Sequence, residues 1–125
     1  MDDTSTTLKQ LQDTVMAFLA ERGWGRDTDP RGLATSIALE AAELLEHYQW
    51  GDQANDPDGL APELADIIIY CLEYAHATKT DVAAAVEAKL ARNAIKYPVS
   101  QFNPENQDKD AYYAVKKQYR EQRNQ

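Results

Sequence analysis

The apolar positions of the chain fall into stripes whose character changes from one segment to the next. Leu8, Leu11, Val15, Phe18 and Leu19 recur at the spacing that lines one face of an α-helix. Thr7 followed by Gln10 offers a capping box at its start, and Gly23 marks its end. Asp29-Pro30 opens a second helix, because Asp is a favoured N-cap and proline at the first helical position loses only an N–H with no helical partner. Its stripe runs through Ala34, Ile37, Ala38, Ala41, Leu44, Leu45 and Tyr48 and stops before Gly51. From Gly51 to Gly59 the chain is crowded with Asp, Asn, Pro and Gly, whose turn preferences and short side-chain hydrogen bonds compete with helix. A mobile loop is expected there.

Leu60 to Ala77 contains Ile67-Ile68-Ile69, a triplet that alone would suit a buried strand. The segment runs 18 residues with only Pro62 near its start, and that length favours a helix. Its apolar residues surround the axis almost completely, which predicts a helix buried on most sides, at the centre of a bundle or an oligomer. A fourth helix is predicted from Asp81 to Lys96, capped by Thr80 and closed by Tyr97-Pro98. The polar, proline-containing stretch from Val99 through Asn106 should be irregular. Asp108 to Asn124 carries weak helical signals in Ala111, Tyr112, Val115 and Tyr119, and is expected to fold against another subunit. The resulting expectation is an all-α bundle of four main helices plus a C-terminal segment, completed by oligomerisation.

At 125 residues the chain is one domain, large enough to bury a core without disulfides. Its one cysteine, Cys71, has no partner thiol and no zinc spacing, which predicts an ordinary buried thiol in a reducing compartment. No basic stretch precedes an apolar run, and the longest strongly apolar run is the six residues from Ile67 to Leu72. Neither a signal peptide nor a membrane span fits, so a cytoplasmic protein is expected.

Charge changes the picture more. The net charge is −8, but from Asp27 to Glu73 there are 11 acidic residues against one basic, while the rest of the chain has 10 against 12. Duplex nucleic acid would require a basic stripe, so it is not an expected partner. A cation is. Glu40 and Glu43 stand three apart on the second helix, which places their Cβ atoms about 5–6 Å from each other on one face. Ser36 and His47 extend that stripe. Glu63 and Asp66 repeat the spacing on the most apolar helix of the chain.

A lone pair of this kind is ordinarily a solvated face. Two pairs on successive helices, with Arg31 the only base between Asp27 and Glu73, instead suggest carboxylates gathered around a divalent ion, since crowding them without one raises their pKa values and destabilises the fold. Oxygen ligands favour a hard ion, and Mg²⁺ keeps positions open for water and phosphate.

Trp24 and Trp50 each adjoin a glycine at a helix end, where an indole can stack on a nucleobase, although taken alone they read more simply as closing the ends of the core. On the fourth helix Val82, Val86, Lys89, Asn93 and Lys96 form a face that turns from apolar to polar. Its lysines suit phosphate oxygens, and equally they complement the negative end of their own helix. His47 and His76 read as surface or hydrogen-bonded histidines, and Ser36 and Cys71 lack the base and orienting partner that a nucleophile requires.

The run Glu40-Ala41-Ala42-Glu43-Leu44-Leu45-Glu46-His47-Tyr48-Gln49-Trp50, then Glu63-Leu64-Ala65-Asp66-Ile67-Ile68-Ile69-Tyr70, then Lys89, Asn93 and Lys96-Tyr97-Pro98, resembles the MazG-like all-α nucleotide pyrophosphohydrolases, and within them the dCTP pyrophosphatase group. The likeness covers about residues 8 to 98, on an E-x-x-E, 19 residues, E-x-x-D frame with a basic motif following in order. It implies a domain over residues 1–98 with an extension over 99–125, and Mg²⁺ held by Glu40, Glu43, Glu63 and Asp66 as the catalytic centre. It also implies Trp24 and Trp50 around a base, Lys89, Asn93, Lys96 and Tyr97 near phosphate and sugar, and a homodimer or homotetramer. The expected reaction is cleavage of the α–β phosphoanhydride of a nucleoside triphosphate. The alternative of another class is a non-catalytic helical oligomer whose acidic face binds a cation or a basic partner protein.

Overall fold

Five α-helices and one short 3₁₀ turn follow one another, with no strand among the described residues. The computed structural model describes residues 1–25 and 29–124. Asp27, where the acidic segment begins, lies outside them. The chain divides into two compact units, Met1–Val82 and Ala83–Gln125.

In the first unit α1 spans Leu8–Glu21, α2 Pro30–Glu46 and α3 Leu60–Ala77, with the 3₁₀ turn at Pro57–Gly59. The capping box forms at Thr7 and Gln10, and the Asp29 carboxylate accepts from the Arg31 amide at the start of α2. Past α1, Gly23 takes φ 68°, a left-handed conformation that costs glycine little, and the Trp24 amide reaches back to the Leu19 carbonyl at 2.9 Å. Val15, Leu19 and Leu72 form the core of this unit, flanked by Leu11, Met16 and Ile69. Gln12 Nε2 donates to the Leu72 carbonyl at 3.1 Å, tying α1 to α3. The Ile triplet is helical, as its long segment predicts.

α3 packs against both α1 and α2, yet those two helices cannot cover all of its apolar surface. Leu64 and Ile68 stay 51% and 40% exposed, and Leu39 and Leu45 on α2 stay 60% and 69% exposed. The expected burial of Cys71 is corrected here: the thiol is free and exposed. Leu72, Glu73 and Ala75 occupy the inward face instead, which puts a carboxyl where the apolar pattern predicts none. Burial raises the pKa of Glu73 above the usual carboxylate range. The loop after α2 is tethered, since the Asn55 amide donates to the His47 carbonyl at 2.7 Å and Asn55 Nδ2 to the Glu46 carbonyl.

α4 spans Val82–Lys96, one residue later than expected, so Thr80 stands outside the cap position. Its hydroxyl pairs with Thr78 Oγ1 at 2.8 Å. In the second unit the segment after Tyr97-Pro98 is irregular but hydrogen-bonded, with Asn106 Nδ2 donating to the Gln101 carbonyl and Asn103 Nδ2 to the Val99 carbonyl. α5 spans Lys109–Arg123, capped by the Asp108 carboxylate on the Asp110 and Ala111 amides. It meets its own chain: the Tyr112 ring stacks on Tyr97 at 5.1 Å, inclined by 20°.

Candidate functional site

α2 and α3 face each other across the 47–59 connection, so the second half of α2 lies opposite the first turns of α3. Glu40, Glu43 and Glu63 each bring one carboxylate oxygen to a cluster whose atoms all lie within 4.8 Å of one another. Glu40 shows the electrostatic consequence. Its pKa is raised above the usual carboxylate value, first because its side chain shares a hydrogen bond with Glu43, then through burial and the charges of Glu43, Asp66 and Glu63. Asp66 is thus close enough to act on the cluster electrostatically while standing outside its tightest group.

Such a cluster has the donors and the span for a hard cation. Oxygen ligands at roughly 2.0–2.6 Å from an ion lie up to about 4–5 Å apart across it. The donor set contains no sulfur.

His47 adjoins this cluster through Glu63. Its Nε2 lies 3.5 Å from Glu63 Oε1, and the two side chains are only 15% and 23% exposed. The connection behind it is fitted to the ring, because a Cβ on Gly59 would stand 2.6 Å from His47 Cε1 and 3.0 Å from Asp56 Oδ2. Sequence reasoning assigned His47 no place in the site. The signal was its position four residues after Glu43 on the same stripe, but the contact depends on how the connection folds back.

Trp24 and Trp50 sit where a ligand could reach them, 59% and 82% exposed at the ends of α1 and α2. The Trp24 ring also meets Phe18 edge-on at 6.3 Å. Lys89, Asn93, Lys96 and Tyr97 belong to the second unit. Lys89 is exposed, while the other three are half-buried around the end of α4. The Asn93 carbonyl accepts from the Tyr97 amide at 2.7 Å. Lys96 Nζ lies 5.2 Å from the Tyr97 ring centre and 4.9 Å from that of Tyr119. The structure therefore gathers the acidic candidates within one unit and the basic candidates within the other.

The chain is similar to proteins of known kind. It is 35% identical to dCTP pyrophosphatase 1 of Bos taurus over 102 residues, covering 74% of this chain and 60% of that protein. For dCTP pyrophosphatase 1 of Homo sapiens the identity is 33% over 101 residues, covering 74% and 59%. The chain thus spans about 60% of the length of these relatives. A crystal structure of a pyrophosphatase from Archaeoglobus fulgidus aligns with a TM-score of 0.65 at 30% identity, covering 78% of this chain and 98% of that one. The MazG-like family model matches residues 35–110, which takes in both acidic pairs and the basic motif of α4. With more than half of its length matched, this chain belongs to the MazG-like family.

Proposed function

We propose that this protein is a Mg²⁺-dependent nucleoside triphosphate pyrophosphohydrolase. It acts on dCTP or a related deoxynucleotide and cleaves the α–β phosphoanhydride to release nucleoside monophosphate and pyrophosphate. The carrying observation is the gathering of Glu40, Glu43 and Glu63 oxygens within 4.8 Å, with Glu40 held above its ordinary pKa by its neighbours. A family whose named relatives here are pyrophosphatases supports the reaction class.

Glu40, Glu43, Glu63 and Asp66 would hold the Mg²⁺, which when bound offsets the charge of the triphosphate and polarises its phosphoryl oxygens. One carboxylate oxygen of the four accepts the proton of the attacking water as the anhydride opens. Trp24 and Trp50 offer stacking faces to the base, and Lys89, Asn93, Lys96 and Tyr97 offer donors to phosphate and sugar. Residues 1–98 form the nucleotide-hydrolysing domain and 99–125 its extension. Leu64 and Ile68, one turn apart on α3 and both exposed, offer apolar contact that a second copy covers in a homodimer or homotetramer. No helix among the described residues is long and apolar enough to cross a membrane. The free thiol of Cys71 suits the reducing cytoplasm in which we place the enzyme.

Incubation with dCTP and Mg²⁺ tests the reading. The expected products are dCMP and pyrophosphate, with turnover lost on chelation of the metal. Release of orthophosphate with dCDP, or no turnover of any nucleotide, would overturn it.

A further inference from the structure

The C-terminal helix lies beyond the E-x-x-E and E-x-x-D frame and beyond most of the family match, which ends at residue 110. Its contacts converge on two residues of the basic motif. Tyr112 stacks on Tyr97 at 5.1 Å, and Phe102 from the intervening segment meets Tyr97 edge-on at 5.4 Å. Seven residues after Tyr112, and so on the same face of α5, Tyr119 places its ring 4.9 Å from Lys96 Nζ. The ammonium group therefore lies over two ring faces, those of Tyr97 and Tyr119.

An aromatic face attracts a cation without neutralising it, because a ring quadrupole carries no net charge. Lys96 thus loses rotameric freedom while keeping its full charge for an anion. A carboxylate partner would fix the side chain equally well but would compete with phosphate. We propose that α5 is a positioning element, with Tyr119 and Tyr112 holding Lys96 and Tyr97 pre-oriented for the phosphate and sugar of the nucleotide. This rests on the assignment of Lys96 and Tyr97 to the substrate made above.

Steady-state kinetics on the full chain with dCTP and Mg²⁺ test it. Tyr119→Leu should raise KM about five-fold with kcat nearly unchanged, the size expected from one lost cation–π contact. Tyr119→Phe keeps the ring and should restore KM. In a Lys96→Met background, Tyr119→Leu should have no further effect. An independent readout is the Lys96 ε-methylene resonance without nucleotide, which two rings should shift upfield and which Tyr119→Leu should move towards the free-lysine position. If Lys96→Met raises KM but Tyr119→Leu leaves it unchanged, the positioning role is overturned while the substrate assignment stands. If Lys96→Met leaves KM unchanged, the assignment itself falls and the proposal with it.

Discussion

The acidic cluster between α2 and α3 and the aromatic cluster joining α4 to α5 solve opposite problems. Residues Met1–Val82 carry 16 acidic and five basic side chains, whereas the remainder carries five acidic and eight basic. In the first unit, Glu40, Glu43 and Glu63 converge, an arrangement that a cation from outside would complete under the function proposed above. In the second, Lys96 and Lys116 are met by the rings of Tyr97, Tyr119 and Tyr112 from within the chain. In the proposed reading, the first site gains from a ligand that relieves like-charge repulsion, and the second is organised beforehand. Binding energy is more effective at a site already ordered, while a site strained by like charge discriminates strongly for a counterion.

The comparison predicts that substitutions in the two units change different parameters. The largest effect is expected for Glu63→Gln or Glu40→Gln, each lowering kcat/KM for dCTP by about a hundred-fold or more, since each removes an oxygen that would hold the cation. Gly59→Ala should come next. Its Cβ displaces the His47 ring from Glu63, and losing such an outer partner should raise the Mg²⁺ concentration for half-maximal rate about ten-fold. Lys89→Met should raise KM for nucleotide several-fold and leave the Mg²⁺ dependence unaltered. A shift in metal dependence with Lys89→Met, or none with Gly59→Ala, would break the division of labour.

The smallest effect concerns stability. Glu73 is buried, and its carboxyl in the folded protein has a raised pKa. Below about pH 4 the group is mostly protonated both folded and unfolded, and it costs nothing. As pH rises past the usual carboxylate value, the unfolded chain releases its proton first and folding is penalised, until the folded group also ionises and the penalty levels off. Glu73→Gln should therefore raise the melting temperature by a few degrees at pH 7 and leave it nearly unchanged at pH 4, as read by thermal denaturation.

Local chemistry makes much of this visible in the sequence. The capping box at Thr7, the Asp29-Pro30 start and the length of the α3 segment each determine structure within a few residues, and α3 spans Leu60–Ala77 as predicted. The meeting of Glu40, Glu43 and Glu63 was legible in part, because an i, i+3 spacing within a helix implies proximity and the connection brings Glu63 to the first pair, while Asp66 stands outside the tightest group. What escaped depends on tertiary choices. Which face of α3 turns inward is decided by where α1 and α2 pack, and this leaves Cys71 exposed and Glu73 buried. The contact of His47 with Glu63 needs the fold-back anchored by Asn55, and the meeting of Lys96 with Tyr119 needs a turn of chain stabilised by Asn103 and Asn106.

The uncovered apolar side chains of α2 and α3 carry a consequence for how the proposed enzyme would respond to its own abundance. In the homo-oligomer proposed above, a second copy would cover exposed apolar side chains such as Leu64 and Ile68, and protomer concentration would enter the folding equilibrium by mass action. Dilution should lower the melting temperature and, beyond a threshold, the activity per molecule. Output of the proposed oligomer would then rise more steeply than in proportion to the amount of protein made, and low expression would leave it disproportionately quiet.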